Sequence, residues 1–461
     1  QQKQNTEILG FWKLQLGIYN TSSQDTTKWT SRNARKIGEP PVIYSEELTE
    51  RSMQQLEHAM DNKGYFQAEI DTTKVVKEKK LDLTYHVTAN DPYHIRNYTI
   101  SFPNTDLQQI AASERFRLLR EGMRFDVDLM NQERQRIASA MRRNGCYYFD
   151  KELIRFVADT TWGKRQVDLT ICLQDYFSQL PEEEKKAIFR HYKVANVYFH
   201  VDYEVDRIPE DEQLFSSVVD GYHFTWIGDK LLREKVLIRN CPIRPGDLYS
   251  EYLLERAYVR LNQLAPIKYV DINFEPVYNG SSNADTLLNC HVVLSRNKLN
   301  SVSAEIEGTY SAGDWGVALG AGYMNRNLFK GAEEMSVNAR ASYEWRQNGG
   351  RAIEAKAAAE LKFPSDVAVN ISYNFQNRPD EYTRSIFGAG LNYTINQSHL
   401  GLNHQFRFID ISYVYLPWIS DVFRDQFLQP TNILKYSYEN HFIVGLGYSG
   451  HYTSFRARNP H

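Results

Sequence analysis

The sequence predicts α+β repeats of order strand, helix, helix, strand, strand (βααββ), followed by an antiparallel transmembrane β-barrel of which about eight strands are present. Three observations predict this. Helices that end in glycine and lead into aromatic residues and paired strands recur through the first part of the chain. From residue 299 onward helical spacing is no longer recognisable. In its place come segments of about ten residues that alternate apolar with polar or small side chains, the signature of membrane β-strands.

The first unit shows Leu48, Met53, Leu56 and Met60 at helical spacing, Gly64 where a C-terminal cap belongs, the strand FQAEI, the turn KEKK and the strand LDLTYHV. Its opening stretch, QQKQNTEILGFW, offers no convincing first strand and no signal-peptide pattern, so the reading expects the chain to begin inside the unit. The second unit has HIRNYTISF, a helix in LMNQERQRIASAMRRNG that stops near Gly145, then DKELIRFV, the turn ADTTWGKR and RQVDLTICL. The third has VANVYFHVDYEV, the helix DLYSEYLLERAYVRLNQL, KYVDINFEPV, the turn YNGSSNAD and TLLNCHVVLS. NDPYH and the charged PEEEKKAIFRHYK read as linkers, and DRIPEDEQLFSSVVDGYHFTWIGDK as a loop insertion. The expected domains are 1–91, 92–180, 181–298 and 299–461.

Beyond 299 the parity of each strand can be followed. Val302, Ala304, Ile306 and Tyr310 oppose Ser303, Glu305 and Glu307; Trp315, Val317, Leu319, Ala321 and Tyr323 oppose Gly316, Ala318, Gly320 and Gly322. The third, fourth and fifth strands (335–345, 353–363 and 367–375) continue the pattern, and longer strands are expected near 383–395, 400–416 (with a slip in parity) and 433–455. Charged residues on the polar face and aromatics at strand ends favour a barrel over a soluble sandwich. The turns NRNLFKGAEE, PSD and NQS fall on one side, which the reading assigns to the periplasm, and SAGDWG, QNGGRA and QNRPDEY on the other.

Composition excludes several classes. With 54 Lys+Arg against 57 Asp+Glu, nucleic acid is not an expected partner, and no apolar run is long enough for a spanning helix. Cys146, Cys172, Cys241 and Cys290 show no metal or disulfide spacing and read as packed residues; no cofactor or metal is expected. GLGYSG matches a phosphate-loop pattern by letters but lies in a strand with no helix after it. Glu333 and Glu334 read as a solvated turn end rather than paired acids, so no catalytic residue and no enzyme are expected.

The helix-glycine-aromatic elements KGYF and NGCYYF resemble those of POTRA domains, with Gly64 and Gly145 as helix terminators and Tyr65, Phe66 and Phe149 as core aromatics. Repeats of this kind before a barrel whose second strand ends in N-x-N-L-F-x-G-A-E (Asn325, Asn327, Leu328, Phe329, Gly331, Ala332, Glu333) resemble the BamA/TamA superfamily of outer-membrane proteins. Within it the chain is most similar to TamA-like assembly lipoproteins (TamL) of Bacteroidota, through GEPPVIYSEELTERSMQQLEHAMDNKGYF, SYVYLP and YSYENHFIVGLGYS. The family barrel has about sixteen strands and an R-G-F/Y loop not found in this sequence, so the reading expects an N-terminal half, with RARNPH in the turn before a ninth strand.

The resemblance implies an outer-membrane assembly or translocation factor with periplasmic POTRA domains. It would receive clients there and insert or pass them at a lateral seam formed by the first barrel strand, Val302, Ala304, Ile306, Gly308 and Tyr310, beside a neighbour rich in glycine. The implied partners are the outer-membrane bilayer, a TamB-like periplasmic bridging protein, and unfolded outer-membrane polypeptides or phospholipid. A lipid conduit serving that bridge and a two-partner secretion translocator are the alternative readings.

Overall fold

The computed structural model describes residues 14–22, 29–77, 80–102, 105–112, 117–174, 179–202, 214–277, 286–311, 313–347, 349–397, 402–429 and 433–452. The sequence expectations for QQKQNTEILGFW, the centre of KEKK, YNGSSNAD and RARNPH lie outside these residues, as does Ser398 of the expected turn NQS, whose Asn396 and Gln397 instead end a strand. The chain divides into two compact units, Gln1–Arg190 and His191–His461.

In the first unit, α1 (Leu14–Asn20) and α2 (Trp29–Ile37) precede α3 (Glu46–Asn62) and the hairpin β1 (Glu69–Lys77) and β2 (Lys80–Thr88). Ser45 starts α3 by accepting a hydrogen bond from Leu48 N, and acidic Glu46 and Glu47 sit in its positive first turn. Gly64, at φ +84°, ends it in a conformation that a side chain would resist. Among the described residues of this repeat no apolar side chain is buried; the buried side chains are Ser31, Thr49 and Ser52. A two-stranded sheet gives Met53, Leu56 and Met60 only partial cover, and Leu48 is exposed.

The second repeat is complete. It contains β3 (His94–Ile100), α4 (Thr105–Ala111), α5 (Val127–Arg143), β4 (Ile154–Asp159) and β5 (Gln166–Leu173), in a sheet of order β3-β5-β4 with β3 parallel to β5. Asp126 caps α5 and Gly145, at φ +100°, follows its end. Ile95, Ile137, Met141, Phe149, Val167, Leu169 and Ile171 form the core, each essentially without exposure. PEEEKKAIFRHYK, expected to be a linker, instead contains a helix, α6 (Glu182–Phe189). Three glutamates in its first turn and Lys186 near its end complement the helix dipole, which a reading of charge alone takes for a solvated stretch.

The second unit begins with the third repeat: β6 (Lys193–Val201), β7 (Leu214–Val219), β8 (Tyr222–Ile227), α7 (Glu234–Asn240), α8 (Glu251–Asn262), β9 (Ile267–Pro276) and β10 (Leu287–Arg296). The expected loop insertion is therefore largely a β-hairpin, turned at Asp220 and Gly221 with positive φ. It enlarges the sheet to five strands in the order β7-β8-β6-β10-β9, with β8 parallel to β6. Val197, Phe199, Phe224, Ala257, Leu261, Cys290 and Val292 close the core beneath α7 and α8.

Eight antiparallel strands follow in chain order: β11 (Asn300–Ser311), β12 (Asp314–Asn325), β13 (Glu334–Trp345), β14 (Arg351–Lys362), β15 (Val367–Arg378), β16 (Tyr382–Gln397), β17 (Leu402–Ile419) and β18 (His441–Tyr452). The count agrees with the sequence reading. Two details do not. Helix α9 (Asp421–Phe427) and a 3₁₀ turn at Ile433–Tyr438 lie between β17 and β18, so the last strand starts at His441 rather than 433. The parity slip has a physical source in register shifts between Leu391 and Asn392 and between Arg407 and Asp410. Among the described residues no helix is long and apolar enough to cross a membrane, which says nothing of strands.

Candidate functional site: a docked turn, an apolar sheet face and an edge strand

The turn between β12 and β13 is folded onto the third repeat. Asn325 Nδ2 donates to Asn300 Oδ1 at 2.8 Å, and its Oδ1 accepts from Asn327 N at 2.9 Å. Asn327 is buried and works in both directions: Nδ2 donates to Leu231 O at 2.6 Å, and Oδ1 accepts from Ala332 N at 3.1 Å. Leu328 N donates to Glu333 O at 3.1 Å. Lys330 and Ala332 hold positive φ of 59° and 63°, and Ala332 joins the repeat's apolar core. Phe329 remains 59% exposed.

Glu333 corrects the sequence reading. It is 6% exposed rather than solvated, and its carboxylate accepts from Gly331 N at 2.8 Å, Phe329 N at 3.3 Å and Arg233 Nη2 at 3.0 Å. Arg233, just ahead of α7, also donates its own backbone N–H to Lys330 O at 2.9 Å. A Cβ on Gly331 would stand 2.1 Å from Glu333 Oε1 and 2.2 Å from Arg233 Nη2, so a side chain here would displace the Glu333–Arg233 contact. Glu333 and Arg233 are 100 residues apart, and no local pattern announces the pair. Glu334 opens β13 half-buried.

Above the turn, side chains sort by parity onto two faces. One register row runs Val302, Tyr323, Val337, Ala359, Ile371, Ala389, Ile411 and Val444 across all eight strands without a polar residue. Much of this face is bare, with Val302 at 81%, Ile306 at 80% and Leu319 at 57% exposure. A bare apolar surface of this extent marks contact with lipid or with another protein. The adjacent row is small or polar over seven strands, Ser303, Gly322, Asn338, Ala358, Ser372, Gly388 and Ser412, and ends on Ile443 of β18. Strands of 12 residues exceed the roughly 9–11 that a tilted strand needs to span a bilayer.

Among the described residues β11 is an edge of this sheet, with β12 as its one paired neighbour. Val302, Ala304, Ile306 and Tyr310 lie along its exposed apolar face, and a Cβ on Gly308 would meet nothing within 4 Å. On the opposite face the small residues of β12 leave a low channel. Positions for a Cβ at Gly316 and Gly322 lie 2.5 Å from Thr309 Oγ1 and 2.6 Å from Ser303 Oγ, so side chains of β11 already lean over β12.

Gly64, Tyr65 and Phe66 were expected to end a helix and fill a core. They do the first, but the aromatics face the second repeat. The Phe66 ring, 40% exposed, lies 5.0 Å from Tyr93 and 5.2 Å from Phe125; Arg124 stands over Tyr65; and Gly64 O accepts from Tyr93 N at 2.8 Å. A Cβ on Gly64 would sit 2.6 Å from Phe125 O. The motif therefore builds the junction between repeats. Lys63 adds ion pairs to Asp126 and Asp128, at 3.1 and 2.8 Å. Burial would push the Asp126 carboxyl up, but Lys63 and the α5 backbone amides outweigh it and hold it below its ordinary value. Phe149, by contrast, is a core residue at 1% exposure.

All four cysteines are free thiols, and burial pushes those of Cys146 and Cys241 up to about 11, which makes them unreactive. Among the described residues no group of three or more His, Cys, Asp or Glu could hold a metal ion.

Residues 30–90 match the family model for POTRA, described as a surface antigen variable number repeat. No curated protein matches the chain. Among solved structures, similarity is found to BamA from Haemophilus ducreyi lacking POTRA domains 1–3, at 12% identity over 79% of this chain and 60% of that one, with a TM-score of 0.44. CdiB from Acinetobacter baumannii is similar at 12% identity over 88% and 67%, with a TM-score of 0.37. Haemophilus influenzae BamA POTRA3–5 is similar at 13% identity over 60% and 92%, with a TM-score of 0.29. The chain spans 60% of the length of the first of these.

Proposed function

We propose that this chain is the periplasmic and leading barrel portion of an outer-membrane assembly or translocation factor of the BamA/TamA type, non-enzymatic and of the TamL-like branch. One observation carries the reading: the turn that resembles the family signature joins a POTRA-like repeat directly to an eight-stranded sheet with a continuous bare apolar face. The POTRA match at residues 30–90 supports it. In this reading the apolar face lies in outer-membrane lipid, the repeats stand in the periplasm beside a TamB-like bridging protein, and the exposed edge β11 is where an unfolded client begins to pair. An edge strand offers backbone donors and acceptors to any extended polypeptide, which suits a factor with varied clients.

The test is reconstitution of the full chain in liposomes with an unfolded outer-membrane β-barrel protein and a photo-crosslinking residue at Ile306. The expected result is faster client folding than in empty liposomes, with client crosslinked to β11. Accelerated phospholipid transfer without client folding or crosslinking would support the lipid-conduit reading instead.

A further inference from the structure

We infer that Glu307 and Arg340 form an ionic latch that holds the edge strand β11 to β13 across the top of β12, and that release of β11 requires this latch to open. The inference rests on the reading of β11 as the working edge.

Strands two apart in a sheet are separated by about 10 Å, twice the inter-strand spacing, so ordinary side chains on β11 and β13 do not meet. Here register sets Glu305 against Gly320 and Gly320 against Arg340, with Glu307 against Ala318 one pleat further on. With hydrogen and methyl as the only side chains in the way, the long Arg340 side chain reaches over β12 and its Nη2 donates to Glu307 Oε2. The same low channel recurs on either side. At Gly316 a Cβ would stand 2.5 Å from Thr309 Oγ1 and 3.0 Å from Glu344 Cγ; at Gly322 it would stand 2.6 Å from Ser303 Oγ and 2.9 Å from Asn338 Oδ1. Side chains from β11 and β13 thus converge over β12 at both glycines.

Glycine in β12 therefore has two opposed effects. It weakens the strand through backbone entropy and lost packing, and it clears the path for a direct tie between the strands on either side. For β11, held by a single ladder, that tie is a second attachment. Both partners are partly exposed, at 45% for Arg340 and 37% for Glu307, so the latch is weak enough to open and is loosened by salt.

The experiment follows backbone hydrogen exchange along β11 in the full chain, reconstituted in phospholipid nanodiscs. Glu307→Gln and Arg340→Met should each speed exchange of Ser303–Gly308 about two- to fivefold, the range of one partly exposed ion pair, and leave β14 unchanged. The swapped pair Glu307→Arg with Arg340→Glu should restore the original rate, which a merely structural role for either side chain would not. Raising the salt concentration should speed β11 in the wild type and not in the single variants. Wild-type exchange in both single variants, or failure of the swap to restore it, overturns the latch. If β11 loosens as expected while client folding is unaltered, the latch stands and the working-edge reading fails.

Discussion

A carboxylate that is nearly buried must be matched by donors, and Glu333 has three. Removing it leaves the amides of Gly331 and Phe329 without their acceptor, at about 1–3 kcal/mol for each group that water cannot reach. Glu333→Ala should therefore open the turn, and Gly331→Ala should do the same from the other side, because its new methyl occupies the place of the Glu333–Arg233 contact. Limited proteolysis between Arg326 and Glu334 should be faster in both variants, whereas Phe329→Ala, which truncates an exposed ring, should leave the wild-type rate. Equal rates for all three would show that the carboxylate does not organise the turn. The letters of the turn could be read from sequence, but the burial of Glu333 could not. A glutamate at a turn end is ordinarily solvated, and what reverses this is Arg233, brought beside it only when the third repeat has folded.

Among the elements, the third-repeat sheet carries a device of its own on the face opposite its helices. His200 Nε2 lies 3.1 Å from His291 Nδ1, and His200 Nδ1 lies 2.9 Å from Thr225 Oγ1. His223 and His291 stack on either side of Tyr198, and Glu275 approaches His291 at 3.6 Å. Burial first, and His291 second, hold the His200 imidazole below its ordinary value, with Glu275 opposing. The unfolded chain takes up a proton near pH 6.5 that the folded repeat resists, so stability is full above about pH 6.5 and falls as pH drops toward the folded-state value. Protection factors in β6 and β10, with exchange corrected for the intrinsic pH dependence of amide exchange, should accordingly fall between pH 7.5 and 5.5, and His200→Gln, which has no such proton to gain, should flatten that dependence. A slope unchanged in His200→Gln would assign the effect to another group. This element also shows where sequence reasoning stops. The period-two pattern of β6, β9 and β10 is legible, but β7 and β8 sit within a polar, acidic stretch that reads as a loop. The place of β8 in the sheet becomes apparent only when Phe224 is seen beside Phe199 of β6, its register partner, 5.0 Å away.

For the molecule as a whole, alternation along each strand was enough to foresee two faces and the strand count, because a period of two needs no tertiary information. Which face meets lipid is a statement about eight strands together, and β14 offers a controlled test of it. Ala357, Ala358 and Ala359 are consecutive, identical and close to the strand's midpoint. Register places Ala357 between Ala339 and Tyr373, and Ala359 between Val337 and Ile371, on the apolar face; Ala358 lies between Asn338 and Ser372 on the polar face. A lysine at any of the three makes the same change in composition and charge. If the apolar face lies in hydrocarbon, Ala357→Lys and Ala359→Lys should each cost about 2–4 kcal/mol near the bilayer midplane. Ala358→Lys, on the face turned from lipid, should cost little. The populations folded in liposomes, followed by urea titration and by the heat-sensitive gel mobility of folded barrels, should alternate along the three positions. If all three variants fold equally well, the bare apolar face is not a lipid face. If Ala358→Lys alone is defective, the two faces are assigned the wrong way round. Alternation in the expected sense, measured in liposomes, would tie the periodicity seen in the sequence to burial of one face of the sheet, since a sheet buried on one side penalises every second residue.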